Sequence, residues 1–294
     1  MSSGQEETPF PKFLFRYRSS GTDYFPEELR RVVEKGEQFF SSVEAANDPF
    51  DCNPVYFPSS NREIVDVHKK LNKKYLVDPN SESLAHLGAR ERKKKLKEKY
   101  SANFVNLRAS RGIFDSIPEN IRSESRIICL SEDWDNPLMW AHYANGHNGI
   151  VLKFAVDLEV AEFTSDDIPL DVIYSDERPV VSTTDLIAWF NSEKCDAELE
   201  RRSNHAFLSY VLSKSRVWAY EKEWRVQKRF PGSDDYRFVP ALNLVEVIVG
   251  ARVDEAARSK IVEICREKVA VKQAAIDANK FSLVLQDAGL SEQP

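Results

Sequence analysis

The stretch from Arg126 to Phe154 constrains the fold more than any other part of this sequence. Ile127 to Leu130 is a short apolar, β-favouring run and Ile150 to Phe154 is a second one, so both predict buried strands. Between them, Asp135-Asn136-Pro137 predicts a helix start, because a side-chain acceptor precedes a proline at the first helical position. Asn145-Gly146 ends that helix early, since both residues tolerate a left-handed backbone.

The short helix carries polar aromatic side chains to the end of a strand. They are Trp140, His142 and Tyr143, with His147 just beyond the helix. Binding and catalytic residues often lie on connections that a rigid scaffold holds in place. We therefore expect a functional site at this turn, although each aromatic taken singly is more often a core residue.

The remaining hydrophobic patterns predict an α+β fold. Strand patterns and helical patterns occur in turn along the whole chain, at 13–18, 26–35, 38–41, 223–228, 244–249, 254–268 and 281–285. They predict one mostly antiparallel β-sheet core with flanking helices and a helical insertion at about 61–122. We expect residues 1–12 to be disordered and residues 13–290 to form a single domain. A long amphipathic helix is predicted over 196–220.

Composition excludes several classes of protein. The 294 residues are 42% hydrophobic, and no run of eighteen apolar residues or signal-peptide core occurs, so we expect a soluble, cytoplasmic protein without a membrane partner. The four cysteines are far apart and do not form a zinc ribbon. The net charge of −6 argues against bulk attraction to nucleic acid. The basic run at 90–99 predicts either a solvated helix face or a local patch for nucleic acid or an acidic partner.

A second polar region lies late in the chain, where a helical pattern changes to a strand pattern. Glu223 and Arg225 alternate with Trp224 and therefore share one face of the strand. Glu221 joins that face if the strand already begins there. The pair is either a structural ion pair or an acid held by an arginine beside a pocket, and two arginines of the first strand, Arg16 and Arg18, are further candidates for a site.

Three kinds of site receive little support from the residues. No glycine-rich phosphate loop and no Gly-x-Ser-x-Gly turn is present. His142 and His147 are separated by Gly146 and do not share a helix face, so no metal is expected. Metal-dependent hydrolysis through Asp48, Asp51 and these two histidines is kept as an outside alternative.

The ordered motifs resemble a widespread bacterial family, domain-of-unknown-function family 2971. The resemblance covers roughly Phe13 to Gly250, and its motifs are Tyr17-Arg18-Ser19, Asn47-Asp48-Pro49-Phe50-Asp51, Leu138-Met139-Trp140-Ala141-His142-Tyr143-Ala144 and Trp218-x-Tyr220-Glu221-x-Glu223-x-Arg225. The resemblance implies membership of a family without implying an activity. The Asn47-Asp48 segment is either a structural turn or a functional loop.

A more distant resemblance is to ADP-ribosyltransferases, which open with a strand bearing Arg or His and later place a glutamate at the head of a strand. It implies an enzyme that uses NAD as a substrate. Glu223 with Glu221 would stabilise the ribosyl cation, and Arg16 or Arg18 would bind phosphate. Trp140 and Tyr143 would pack on nicotinamide, and His142 would bind ribose or the acceptor. Asn47, Asp48 and Arg225 would complete the cofactor site. The Ser-Thr-Ser strand of those enzymes is absent from this sequence.

Two interpretations from different classes therefore remain open. In the first, the protein is an ADP-ribosyltransferase-like toxin or phage-defence effector that modifies a nucleic acid or protein acceptor. In the second, the same residues form a non-catalytic module that senses a nucleotide or nucleic acid. The sequence does not specify an oligomeric state.

Overall fold

The structure is a computed structural model that describes residues 10–21, 25–76, 88, 90–91, 119, 121–159, 168–189, 191, 196–229 and 235–288. The chain forms two compact units. Unit 1 comprises Met1–Ser41, Ser125–Val172 and Val217–Pro294, and unit 2 comprises Ser42–Glu124 and Ile173–Arg216. The single domain predicted over 13–290 stays a prediction. Residues 1–9 of the segment expected to be disordered, 1–12, lie outside the described residues. Most of the 90–99 basic run and much of the 61–122 insertion also lie outside them.

The described part of the chain contains both strands and helices throughout its length. The strands are β1 (Phe13–Arg18), β2 (Glu37–Phe39), β3 (Ser41–Ser42), β4 (Val55–Phe57), β5 (Ser125–Ser131), β6 (Ile150–Val156), β7 (Leu170–Asp171), β8 (Ile173–Ser175), β9 (Val180–Ser182), β10 (Ser213–Ser215), β11 (Glu223–Arg229), β12 (Tyr236–Phe238), β13 (Leu242–Val249), β14 (Ala270–Ile276) and β15 (Leu283–Asp287). The helices are α1 (Phe25–Lys35), α2 (Asn61–Leu76), α3 (Pro137–Tyr143), α4 (Thr183–Trp189), α5 (Ala197–Phe207) and α6 (Glu255–Cys265).

One mixed sheet organises unit 1. Its strands lie in the order β15-β14-β13-β6-β1-β5-β11-β7, and each neighbouring pair is antiparallel except β13 and β14. The prediction of an α+β fold with a mostly antiparallel sheet is therefore confirmed. Strand β1 lies between β6 and β5, so the first strand of the chain is central to the sheet.

The two faces of this sheet are covered by different elements. Leu14 packs with Leu29 of α1 in one apolar core, which also contains Ile261 of α6. Phe15 and its face-mate Tyr17 pack with residues of α3 in a second core. Because successive side chains of a strand point to opposite faces, the alternation along β1 separates the two cores. We call these faces the α1 face and the α3 face.

Helix α3 begins and ends where the sequence predicts. The side chain of Asn136 accepts a hydrogen bond of 3.0 Å from the backbone N–H of Leu138, and Pro137 occupies the first turn. After the helix, Asn145, Gly146 and His147 have φ values of 49°, 60° and 71°. Three left-handed residues in a row cannot continue a right-handed helix, so the chain reverses into β6.

Unit 2 contains a small helical core and two short parallel strand pairs. Side chains of α2, α4 and α5 form the core: Ile64, Val67, Leu71, Ile187, Ala188 and Leu199. Ser60 and Glu63 cap α2 reciprocally, with hydrogen bonds from the Ser60 N–H to Glu63 Oε2 (2.7 Å) and from the Glu63 N–H to Ser60 Oγ (3.3 Å). Strand β4 pairs with β9, and β8 pairs with β10.

The long helix predicted over 196–220 is a correction. Helix α5 ends at Phe207, a π-helical turn spans Leu208–Leu212, and β10 and a 3-10 turn (Arg216–Glu221) follow. The apolar residues of this segment are spaced as in a helix, but Ser213 to Ser215 pair with β8 instead. Strand pairing at a distance overrides the local periodicity. No helix in the described ranges is long and apolar enough to cross a membrane.

Candidate functional site

Trp140 anchors helix α3 to the sheet. Its side chain is fully buried, and its Nε1–H donates a hydrogen bond of 2.7 Å to the carbonyl oxygen of Trp134. Tyr17 meets the indole edge-on at a centroid distance of 5.5 Å, and His147 stacks on it at 5.8 Å with 7° between the ring planes. The predicted packing of Trp140 on a cofactor has no support in this geometry, because protein rings already cover the indole.

His147 belongs to the same stack. Burial lowers the pKa of its imidazole, and the nearby Arg252 cation lowers it further. The ring is therefore neutral near pH 7. A neutral imidazole lying flat on an indole contributes packing to the turn rather than a charge to a site.

Tyr143, at the last position of α3, contacts the acidic doublet directly. Its hydroxyl donates a hydrogen bond of 2.6 Å to Oε1 of Glu221, and only 2% of Glu221 is exposed. The hydroxyl of Ser131 donates a second bond of 2.6 Å, to the backbone carbonyl of Glu221. The histidine-bearing helix and the late acidic doublet are thus brought together, although Tyr143 and Glu221 are 78 positions apart in the chain.

Glu223 and Arg225 form a bidentate ion pair on the α3 face. Arg225 Nε donates to Glu223 Oε1 at 2.7 Å, and a terminal nitrogen of Arg225 donates to Glu223 Oε2 at 2.9 Å. The exposed fractions of the two side chains are 2% and 0%. Glu223 lies on the α3 face because it pairs in register with Ser131 of β5, which pairs in turn with Phe15 of β1 on that face. The short, buried, two-point contact fixes the position and orientation of the carboxylate.

The strand begins at Glu223, so Glu221 lies in the preceding 3-10 turn and not on the strand. Lys222, between the two glutamates, has a φ of 43°. This left-handed residue changes the direction of the chain between the two glutamates. The carboxylate of Asp133 forms an ion pair of 2.8 Å with the amine of Lys222 and raises the pKa of that amine.

Asn136 connects the start of α3 to the same turn. While its Oδ1 caps the helix, its Nδ2 donates a hydrogen bond of 3.0 Å to the carbonyl oxygen of Tyr220. Sequence reasoning identified Asn136 only as a cap and did not include Ser131 among the site residues. Their second role depends on a contact more than eighty positions away in the chain, as the separations of 84 and 90 residues show.

His142 is exposed and lies at the edge of a row of aromatic rings. Its ring centroid is 6.1 Å from that of Tyr143 and 6.3 Å from that of Trp218, in edge-on arrangements. Trp218 in turn lies 6.0 Å from Tyr220. Trp218 is part of the late sequence motif, but its contact with His142 depends on the fold and is not visible in the sequence. His142, Trp218 and Tyr220 thus form an aromatic surface beside Tyr143 that is half-buried to exposed.

Arg16 and Arg18 do not reach this cluster. Both alternate with Tyr17 along β1 and lie on the α1 face. Arg16 is buried and donates to Gln38 Oε1 at 3.0 Å and to the carbonyl oxygen of Phe39. Burial lowers its pKa to about 10, and the Arg18 cation adds to the decrease. Arg18 forms an ion pair of 2.6 Å with Glu28 of α1. The phosphate role predicted for Arg16 or Arg18 has no support in this geometry, because strand alternation places both arginines on the opposite face of the sheet from Glu223 and Arg225.

Asn47 and Asp48 belong to unit 2, where they form a local turn. Oδ1 of Asp48 accepts a hydrogen bond of 2.9 Å from the N–H of Phe50, as the Asn-Asp-Pro sequence predicts. Asp51, which follows, is buried and lies 3.7 Å from the amine of Lys214. The cofactor role predicted for Asn47 and Asp48 stays a prediction.

A metal centre receives no support from the described side chains. Among them, no group of three or more His, Cys, Asp or Glu residues is arranged to hold a metal ion. The hydrolase alternative required Asp48, Asp51, His142 and His147 to form such a group.

Comparison with known families agrees with the motif resemblance. The model of a family described as "protein of unknown function (DUF2971)" matches residues 139–226. This segment belongs to the DUF2971 family. The match starts within α3 and ends within β11, so the DUF2971 segment contains Tyr143, Glu221, Glu223 and Arg225. The chain has no significant match among curated proteins or among solved structures.

Proposed function

We propose that the cluster on the α3 face is the catalytic centre of an ADP-ribosyltransferase-like enzyme that uses NAD. The observation that carries the proposal is the 2.6 Å hydrogen bond from Tyr143 to Glu221, next to the Glu223–Arg225 pair. Two carboxylates, each held by a different partner near the head of β11, agree with the glutamate at the head of a strand that the distant resemblance implies. Tyrosine and arginine fix their geometry before a substrate arrives.

The chemistry is the transfer of a ribosyl group. The bond between the nicotinamide nitrogen and C1′ of the ribose breaks, and its electron pair leaves with nicotinamide. Positive charge develops on the ribose as an oxocarbenium ion, which a nearby carboxylate stabilises. A nucleophile of the acceptor then forms a bond to C1′ and loses its proton. NAD and the acceptor are converted to nicotinamide, a proton and the ADP-ribosylated acceptor.

In this proposal, Glu221 and Glu223 supply the negative charge, and Tyr143 and Arg225 position them. His142 with Trp218 offers the surface on which a planar base stacks, since aromatic rings bind heterocycles face to face or edge to face. The phosphate role expected for Arg16 and Arg18 is left out, because both lie on the α1 face. The acceptor is a nucleic acid or a protein, and the activity is that of a toxin or phage-defence effector in the cytoplasm, as the resemblance implies.

One observation favours a second function, a non-catalytic nucleotide-binding module. The side chains of Glu223 and Arg225 satisfy each other and are 2% and 0% exposed. A carboxylate in this state serves the fold, because a substrate reaches it only if the pair opens. The exposed His142 beside Trp218 would then bind a base without any reaction following.

Release of labelled nicotinamide from NAD separates the two functions. We expect the wild-type protein to release nicotinamide and Glu221→Gln and Glu223→Gln to lose most of that release. The matched control is Glu263→Gln, an exposed glutamate of α6, which should release nicotinamide at the wild-type rate. Thermal melts of each variant show whether a loss reflects unfolding.

His142→Ala is the second test, to be used if a glutamate variant fails to fold. His142 is exposed, so its loss should leave the fold intact. An enzyme with a base-stacking His142 shows a raised KM for NAD in this variant. If the wild type binds NAD, releases no nicotinamide and loses binding in His142→Ala, the transferase proposal fails and the binding module stands. If the wild type neither binds nor cleaves NAD, both fail.

A further inference from the structure

Strand β15 is the outermost strand of the sheet in the part of the chain that the structure describes. It pairs with β14 on one side, from Lys272 opposite Asp287 to Ile276 opposite Leu283. On its other side no described strand pairs with it. Backbone N–H and C=O groups on such a side are available to another strand.

The side chains at this edge are apolar and exposed. The exposed fractions are 76% for Ile276, 109% for Phe281, 37% for Val284 and 38% for Leu285. Ile276 and Leu285 lie on the α3 face, because their register partners are Leu283 and Ala274, which belong to the core on that face. Val284 lies on the α1 face. The edge therefore exposes apolar groups on both of its faces.

The strand lacks the features that normally prevent edge pairing. Proteins protect exposed edges with lysine, proline, bulges or inward-pointing charges. From Leu283 to Gln286 the sequence Leu-Val-Leu-Gln contains none of these. The charged residue that follows, Asp287, is already paired with Lys272 of the neighbouring strand. An unprotected, apolar edge of this kind is suited to pairing with another strand.

We propose that β15 pairs antiparallel with β15 of a second copy of this chain, centred on Val284. A two-fold axis at this position brings Val284 opposite Val284 of the other copy on the α1 face. It also brings Leu283 opposite Leu285 twice on the α3 face. Apolar side chains directly opposite each other across an antiparallel pair stabilise it. The two sheets then continue into one.

Matching of apolar side chains favours this register over its neighbour. Centred on Val284, the three apolar residues of each strand face apolar residues of the other copy. A register centred on Leu285 keeps only the pair of Leu285 with itself, because Val284 then faces Gln286 and Leu283 faces Asp287. Because Val284 is its own partner only in the first register, the position of the axis is testable.

The contact is small, so the dimer is concentration-dependent. One five-residue strand from each copy, with three apolar side chains on each side, buries far less than the roughly 1,600 Å² of a standard stable interface. Strand pairing adds backbone hydrogen bonds to this apolar contact. We expect association in the micromolar range rather than a permanent dimer. The proposal does not depend on the proposed function, because β15 contributes no residue to the Glu221 cluster.

Disulfide trapping tests the register. In Val284→Cys, the two new thiols face each other across the axis, so oxidation should produce a covalent dimer on a non-reducing gel. Gln286→Cys is the matched control on the same strand and face. Its two copies lie four positions apart along the strands, about 14 Å, which exceeds the ~7 Å limit between the Cα atoms of a disulfide. Wild-type protein, oxidised in parallel, controls for the natural cysteines.

Sedimentation velocity over a range of concentrations tests the association itself. We expect the wild-type sedimentation coefficient to rise with concentration and Val284→Lys to stay monomeric, because a lysine at the edge opposes its own copy. A wild type that is monomeric throughout overturns the proposal. Equal crosslinking of Val284→Cys and Gln286→Cys, or a dimer that survives Val284→Lys, overturns it as well, and assigns any association to another surface.

Discussion

The buried ion pair between Glu223 and Arg225 leads to the largest single-residue effect on stability that we predict. Replacing Arg225 with methionine keeps the approximate volume of the side chain and removes both hydrogen bonds to the carboxylate, at 2.7 and 2.9 Å. Glu223 then loses its cationic partner at a position where its side chain is only 2% exposed. A charge left buried without its partner is strongly unfavourable, since the folded state offers it little hydration.

The expected magnitude follows from burial. Breaking a buried pair by removing one partner costs about 3–5 kcal/mol. For a chain of this size, each kcal/mol lowers Tm by roughly 2–4 °C, so Arg225→Met should lower Tm by roughly 6–20 °C. The matched control is Arg258→Met, which breaks an ion pair of similar length, 2.7 Å, with Glu255, whose side chain is 70% exposed. Surface pairs contribute about 0–1 kcal/mol, so the control should barely change Tm.

A double-mutant cycle distinguishes the interaction energy between the two charges from the cost of repacking the substituted side chains. Urea unfolding is measured for Arg225→Met, Glu223→Leu and the doubly substituted protein. The double variant should lose less free energy of unfolding than the two single losses added together, because it leaves neither charge stranded. A loss of less than about 1 kcal/mol in Arg225→Met, or strictly additive losses, would refute the reasoning that the two charges depend on each other in the folded state.

Three further predictions concern other parts of unit 1. Gly250→Ala should strongly lower Tm, because an added Cβ would lie 2.3 Å from the carbonyl oxygen of His147. In the control Gly88→Ala the added Cβ meets no described atom within 4 Å, so Tm should stay unchanged. Burial raises the pKa of the Cys265 thiol from about 9 to about 11. The stabilisation that the protonated thiol gives the folded state is therefore present below pH 9 and is lost as the pH rises towards 11. The urea midpoint should fall over that pH range, and it should fall less steeply in Cys265→Ala. Iodoacetamide followed by mass spectrometry should label the exposed Cys129 in the folded protein and Cys265 only after unfolding.

Local sequence signals predicted the elements that carry strong patterns or specific caps. The alternating Phe13–Arg18 run forms β1, and the Asn136-Pro137 pair starts α3. Both signals are local, because they depend on strand alternation and on a single capping hydrogen bond. Strand β14, Ala270–Ile276, was not predicted. Its alanines have little intrinsic preference for a strand, and pairing with β13 and β15 decides its conformation.

The candidate site was predicted in part. The glutamates, Tyr143 and Arg225 were chosen because acidic, aromatic and basic side chains alternate around a change from helix to strand, and the structure brings these residues together. Arg16 was chosen on the same basis and lies on the other face of the sheet. Its alternation with Tyr17 is visible in the sequence, but nothing local indicates which face α3 covers.

By itself, the sequence determined the conformations that neighbouring residues impose on one another: the strand alternation of β1 and β11, the capped start of α3, and the left-handed turn after it. It also determined that Glu223 and Arg225 share a face, since their spacing of two residues is a property of any strand. Only the tertiary structure decided that Tyr143 reaches Glu221 and that Arg16 does not. Those contacts depend on the order β6-β1-β5-β11 and on the face that α3 covers, which are set by the burial of apolar groups from distant segments rather than by any local preference.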